Sequence, residues 1–333
     1  MIRSVHRLLS ALIPVILLAS CRTLEPGIPA SVEKWRQRGR MVEVAGRNLF
    51  VIDEGSGPET LVILHGYPTS SHDFERVLPE LAKRYRVIVH DHLGFGLSDK
   101  PADYSYALVE QADTALLIWK KLGVRRAHLL GHDYGTSVAT EILARRERFE
   151  LPVTLDTVTL CNGSVHIELA HLRLIQRVLA NPWLGPLVAP LSSRRFFDSQ
   201  MRDIWADPAK LDEDALAAMW ALLVRDDGRL RTPAISGYLH ERRKFWHRWI
   251  GALTRLDIPT HVLWAREDPI AVPAIAEQLA REIPGAQLTW LNRVGHYPML
   301  EAPNEWAREA LAFFDEQSVA ADPGSAGGAG DRS

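Results

Sequence analysis

The stretch Leu129-Leu130-Gly131-His132-Asp133-Tyr134-Gly135-Thr136 decides how the rest of the chain is read. The apolar run from Ala127 to Leu130 has the length and composition of a buried strand, and Thr136 to Arg146 has the pattern of a helix. Between them, Gly131 and Gly135 flank Asp133 at the spacing of a sharp strand-to-helix turn that pushes one strained side chain into a pocket. Alone the motif is weak, and an aspartate capping a helix is the simpler reading. Three further strand ends change this. His65-Gly66-Tyr67-Pro68 follows the run Leu61 to Leu64, Asp268 follows His261 to Trp264, and Gly295-His296-Tyr297 follows Gln287 to Leu291. Nucleophile, acid, histidine is the chain order of a hydrolytic triad on a sheet of this kind. Asp133, Asp268 and His296 are therefore the candidate catalytic residues, with the backbone N–H groups of Tyr67 and Tyr134 as the candidate oxyanion hole.

The strand-like runs recur along the chain at Leu61 to Leu64, Arg86 to His90, Ala127 to Leu130, Leu155 to Leu160, His261 to Trp264 and Gln287 to Leu291, separated by helix-length segments. Short Val/Ile/Leu runs spaced in this way predict an α/β fold, a mostly parallel sheet with helices on both faces. Met41 to Glu54 predicts an antiparallel hairpin at one edge. From Val165 to Leu256 the strand pattern stops, and amphipathic stretches broken by Asn181-Pro182, Gly185-Pro186, Asp207-Pro208 and Asp227-Gly228 predict a helical cap inserted after the sixth strand. Trp183, Trp205, Trp220, Trp246 and Trp249 fall in this cap and predict an apolar underside. The expected organisation is a core over 41–164 and 257–317 interrupted by a cap over 165–256.

Composition narrows the function classes. Lys plus Arg number 39 against 41 Asp plus Glu, a net charge of −2, which leaves no surplus to bind nucleic acid by counterion release. Two cysteines allow at most one disulfide and no cysteine-rich zinc site, and neither a metal nor an organic cofactor is implied. At the amino terminus, Arg3 and Arg7 precede an uncharged run, Leu8 to Ala19, shorter than the ~20 residues that span a bilayer. Leu18-Ala19-Ser20-Cys21 resembles a lipobox, so residues 1–20 are expected to be a signal peptide and Cys21 a lipidated anchor, with an uncleaved signal anchor as the alternative. The protein is then expected to be exported and tethered to a membrane on the periplasmic side of the cell envelope. Residues 21–40 read as a tether and 318–333 as a disordered tail. Cys161, left without a partner, reads as a buried inert thiol.

His65 to Ser71, Asp91 to Pro101, Gly131 to Gly135 and Gly295 to Pro298 together resemble the epoxide hydrolase and haloalkane dehalogenase branch of the α/β-hydrolase superfamily. The resemblance runs from about Met41 to Phe314 and implies the α/β-hydrolase fold. A carboxylate nucleophile is suited to sp3 carbon rather than to a carboxylic ester, so Asp133 implies an alkyl-enzyme ester hydrolysed by water that His296 activates. The substrate is expected to be a small apolar molecule. In epoxide hydrolases of this branch, cap tyrosines protonate the ring oxygen, and Tyr238 resembles one of that pair; a packing role is the alternative. Where a second phenol would sit, the chain has Phe196 and Phe197. Dehalogenases instead hold the departing halide with N–H donors after the nucleophile and after His-Gly; here those positions are Tyr134 and Tyr67, which favours the epoxide. A membrane-tethered binding protein that keeps the fold without turnover is the alternative of a different class. Asp91 reads as a structural acceptor, Asn162 as support for the triad or the turn, and Glu241 to Lys244 as a solvated helix face.

Overall fold

The computed structural model describes residues 27–321, with side chains as far as residue 317. The apolar run Leu8 to Ala19 and Cys21 lie outside the described residues. Eight strands, β1 (Arg40–Val44), β2 (Arg47–Glu54), β3 (Thr60–Leu64), β4 (Arg86–His90), β5 (Arg126–His132), β6 (Thr154–Cys161), β7 (Thr260–Ala265) and β8 (Gln287–Leu291), form one sheet in the order β1-β2-β4-β3-β5-β6-β7-β8. β2 pairs antiparallel with both β1 and β4, and every pairing from β4 through β8 is parallel.

Alternation along each strand sorts the core into two layers. Val62 and Leu64 enter the cluster on one face of the sheet, while Leu61 and Ile63 enter the other. Both faces are covered, so β3 is apolar at every position after Thr60 and β7 is buried along its whole length, neither alternating between a buried and an exposed face. β8, at the edge, is only half-buried. The helix Tyr134–Glu147 is buried from Tyr134 to Ala144, because it packs between the sheet and the cap helix Trp246–Thr254.

No strand interrupts residues 165–256. The cap is a series of helices, among them Leu174–Leu179, Gly185–Val188, Arg194–Arg202, Glu213–Val224, Tyr238–Lys244 and Trp246–Thr254.

Four expectations need correction. Residues 30–38 are a helix, not part of a tether: Val32 and Trp35 are buried, and the Trp35 indole N–H donates to Ser71 Oγ at 3.2 Å. The final helix, Pro303–Ala321, runs into the segment read as a disordered tail. Arg242 does not lie on a solvated face but is buried, 2% exposed. Trp183 is not on the underside of the cap; it is 82% exposed.

Candidate active site

β5 ends at His132 and the next helix begins at Tyr134, so Asp133 makes the whole turn by itself, with φ 44° and ψ −108°. Such a backbone is strained for a residue with a Cβ and persists only where its surroundings impose it. Two glycines are part of that imposition. A Cβ on Gly135 would lie 2.1 Å from the Leu64 carbonyl oxygen, and one on Gly131 would lie 2.8 Å from that of Gly135. The Asp133 amide donates to the Cys161 carbonyl at 3.0 Å, and the Thr136 N–H and Oγ1 both return to the Asp133 carbonyl.

The turn aims the Asp133 carboxylate at the other strand ends. Its Oδ2 accepts the Tyr67 N–H at 2.9 Å, and His296 Nε2 lies 3.9 Å from the same oxygen, beyond direct hydrogen-bond reach. His296 Nδ1 sits 2.7 Å from Asp268 Oδ2, which assigns the Nδ1 proton to that bond and turns Nε2 toward Asp133. The second oxygen of Asp268 accepts the Ile270 and Ala271 amides at 2.8 and 3.0 Å. Tyr134 N–H is in the first turn of its helix, where no intrahelical acceptor exists. The three candidate triad residues and the Tyr67 amide thus converge on one buried point, with the Tyr134 amide next to Asp133 in the chain and free of an intrahelical acceptor.

Burial alone would lower the His296 pKa, but the adjoining Asp268 and Asp133 carboxylates reverse this and hold it at about 10. For Asp133, burial acts to raise the pKa and His296 to lower it, and the net direction is down. The resting site is therefore an imidazolium between two carboxylates.

Tyr238 is buried at the start of its cap helix, its ring centroid 5.2 Å from that of Tyr134 and 6.1 Å from that of Tyr67. Burial, and then the Asp133 charge, push its phenol well above the ordinary range, so it carries its proton. The Tyr67 hydroxyl accepts from Ser236 Oγ. An apolar cavity lies under the cap, walled by Ile175, Leu179, Phe197, Met201, Trp220 and Leu223, and reaches Tyr67 and His296. Phe196 and Phe197 both line it; Phe197 is buried, whereas Phe196 is also 45% exposed to solvent.

Asn162, left open between two roles, fills both. Its Nδ2 donates to Asp268 Oδ2 at 2.7 Å, and its Oδ1 accepts the Ala265 amide at 3.0 Å, from a backbone at φ 45°. Asp91 is an acceptor, taking Ser71 N and Oγ on one oxygen and Leu97 N on the other. Cys161 is buried and free, its thiol pushed up to about 12 by burial.

Two features of the site were not visible in the sequence, the first misread as part of a solvated face and the second without any reading. The Arg242 guanidinium donates from Nη2 to Thr136 Oγ1 at 3.0 Å, has no hydrogen-bond partner at Nε and makes no ion pair among the described residues. Burial lowers its pKa to about 10, with Tyr238 and Asp133 opposing that shift. A charged run in sequence does not reveal which of its members turns inward. The other feature is a knot around Glu301, which accepts the amides of Gly295, Ala206 and Asp207. Beside it, the His296 amide donates to Ile204 in the cap, and the His296 carbonyl accepts His132 Nε2. Among the described residues, no three His, Cys, Asp or Glu side chains group as metal ligands would.

Comparison with known proteins agrees with this architecture. The α/β hydrolase fold family matches residues 59–303. A putative hydrolase, LipZ, of Mycobacterium tuberculosis is 39% identical over 284 residues, covering 85% of this chain and 98% of the relative. The mesoderm-specific transcript protein of Mus musculus is 33% identical over 301 residues, covering 87% of this chain and 90% of the relative. The stretches 94–101, 132–135, 160–163 and 242–253 are where the resemblance to that protein is easiest to see in the sequence. Among solved structures, the haloalkane dehalogenase DbeA from Bradyrhizobium elkani superposes with a TM-score of 0.71 at 22% identity, over 85% of this chain and 99% of that one. Strand order, inserted cap and family match lead to one conclusion: this chain belongs to the α/β-hydrolase fold family and is a hydrolase by descent.

Proposed function

We propose that the chain hydrolyses a small apolar epoxide through a covalent ester on Asp133. The observation that carries this reading is a carboxylate on the strained turn with a buried cap phenol over it, the Tyr238 ring packing against both Tyr67 and Tyr134, the residues whose amides form the candidate oxyanion hole. Asp133 Oδ1, the oxygen not engaged by Tyr67 N–H, attacks a ring carbon. The C–O bond breaks, and its electron pair passes to the ring oxygen, which takes the Tyr238 proton. Ester formation removes the Asp133 charge, so the imidazolium keeps only Asp268 as counter-ion and gives its proton to the Tyr238 phenolate. Neutral His296 then takes a proton from water, and the hydroxyl adds to Asp133 Cγ. The Tyr67 N–H, already on Oδ2, and the Tyr134 N–H stabilise the oxyanion. Collapse breaks the ester bond, the departing alkoxide takes the His296 proton, and a diol leaves.

The test is to stall the second step with His296→Gln and weigh the intact protein after exposure to epoxides and haloalkanes. An Asp133 adduct carrying the full epoxide mass is the expected result, with Tyr238→Phe slowing its formation. An alkyl adduct formed with loss of halide, from haloalkanes alone, would replace the epoxide by a halide. Absence of any adduct would favour a binding protein without turnover. Ester hydrolysis that survives Asp133→Ala would overturn the nucleophile itself.

A further inference from the structure

The cap carries an unusual stretch of surface. Leu174, Trp183, Leu184, Leu187, Leu191 and Phe196 are between 45% and 82% exposed, and all fall in the 173–197 segment, which holds the short helices Leu174–Leu179, Gly185–Val188 and Ala189–Leu191 and the start of Arg194–Arg202. Scattered exposed apolar side chains are normal, but a cluster of this kind marks an interaction surface. It is held rigidly outward. Asn181 Oδ1 accepts the amides of both Trp183 and Leu184 at 2.9 Å, fixing the turn from which the indole projects.

Charge identifies what the surface fits. Residues 173–197 contain four arginines, Arg173, Arg177, Arg194 and Arg195, and no aspartate or glutamate. Arg173 and Arg194 are paired with Asp203 and Asp198 outside the segment, whereas Arg177 and Arg195 are exposed with no carboxylate partner among the described residues. Leucines beside an exposed tryptophan, rimmed by arginine and free of acid, match a lipid–water interface with anionic headgroups. No described helix is long and apolar enough to cross a membrane. The match is to a bilayer surface.

We propose that the 173–197 face of the cap docks on an anionic phospholipid bilayer, with Trp183 and the neighbouring leucines in the acyl boundary and Arg177 and Arg195 at the phosphates. The same short helices have an inner side. Ile175, Leu179, Ser192, Phe197 and Met201 line the cavity, and Phe196 belongs to both the lining and the exposed set. Docking therefore sets the apolar cavity beside the hydrocarbon, and an apolar substrate dissolved in the bilayer enters without crossing water. That last consequence rests on the proposed hydrolase function; the docking does not.

The experiment uses the full chain, so that whatever residues 1–26 add to membrane binding is common to every variant. Vesicles of phosphatidylcholine and phosphatidylglycerol with brominated acyl chains are added, and the fluorescence lost on replacing Trp183→Phe is taken as the Trp183 component. Supporting results are quenching of that component by the brominated chains, together with protection from aqueous acrylamide. Trp183→Ser with Leu187→Ser and Leu191→Ser is expected to weaken vesicle partitioning about a hundredfold, and Arg177→Gln with Arg195→Gln to remove its dependence on phosphatidylglycerol. The proposal is overturned if Trp183 stays accessible to acrylamide on vesicles, or if it becomes protected without lipid as protein concentration rises, which would make the face an interface between copies of this chain. Neither readout uses turnover, so failure here leaves the epoxide reading to its own test.

Discussion

Replacing Asp133→Asn should change His296 far more than the loss of one hydrogen-bond acceptor would. The imidazole Nε2 lies 3.9 Å from Asp133 Oδ2. Two unit charges at that distance, with an effective dielectric constant of about 20, attract by about 4 kcal/mol, which corresponds to about three pH units. His296 in the unmodified protein is held at about 10, so in Asp133→Asn it is expected to titrate near pH 7. The assay is a two-dimensional NMR titration with histidine labelled at Cε1, and His296→Gln identifies the signal among the 13 histidines. The asparagine side chain stands in for the neutral ester, so the same measurement reports how far alkylation alone converts His296 from an acid to a base. Midpoints within one pH unit of each other in the two proteins, or a wild-type midpoint near 6.5, would refute the reasoning. The first result would mean that Asp268 alone holds the proton and that ester formation does not release it; the second, that neither carboxylate raises the histidine above its ordinary value.

The same group links folding to pH. The folded pKa of His296 is raised above its unfolded value of about 6.5, so its stabilisation is complete below pH 6.5 and is lost as pH rises toward 10. Urea unfolding across that window should show a loss of up to about 5 kcal/mol, with His296→Gln flattening the curve. Trp35→Ala should cost about 3–5 kcal/mol in the same assay, because it empties a core site and breaks the bond to Ser71; a tether would show no change. Asn162→Ala should cost about 1–3 kcal/mol, since Asp268 loses a donor, the Ala265 amide loses its acceptor, and alanine tolerates the positive φ poorly. Arg242→Met, which removes a buried charge with no ion pair, should leave the melting temperature unchanged or higher while slowing turnover. A drop in melting temperature would make the guanidinium a structural element.

The parts of this molecule that were legible beforehand are those where local pattern and tertiary role coincide. β3 to β7 are buried on both faces, so their composition marks them as strands without knowledge of their partners. Asp133, Asp268 and His296 each follow such a run, and the elbow glycines are demanded by close backbone contact, so their positions were readable. The helix 30–38 was not. Only Val32 and Trp35 of its nine residues are buried, three apart, and the other seven are indistinguishable from a polar linker. Arg242 and Trp183 failed for a shared reason. Residue type sets an average exposure, whereas in a cap of short helices the direction of each side chain is set by packing that the local sequence does not encode. The cavity wall was illegible on the same ground.

The Glu301 knot and the bond from the His296 amide to Ile204 give the cap a mechanical asymmetry. On that side, cap backbone is riveted to the loop that carries the imidazole, so lifting it would drag the histidine out of register with Asp133. The cap is fastened to the core elsewhere as well, through Arg242 on Thr136, Trp249 on Glu141 and Arg225 on the Leu97 carbonyl. The 204–207 stretch differs in that it bonds the backbone of the catalytic histidine directly, so any displacement of that stretch is a displacement of the base.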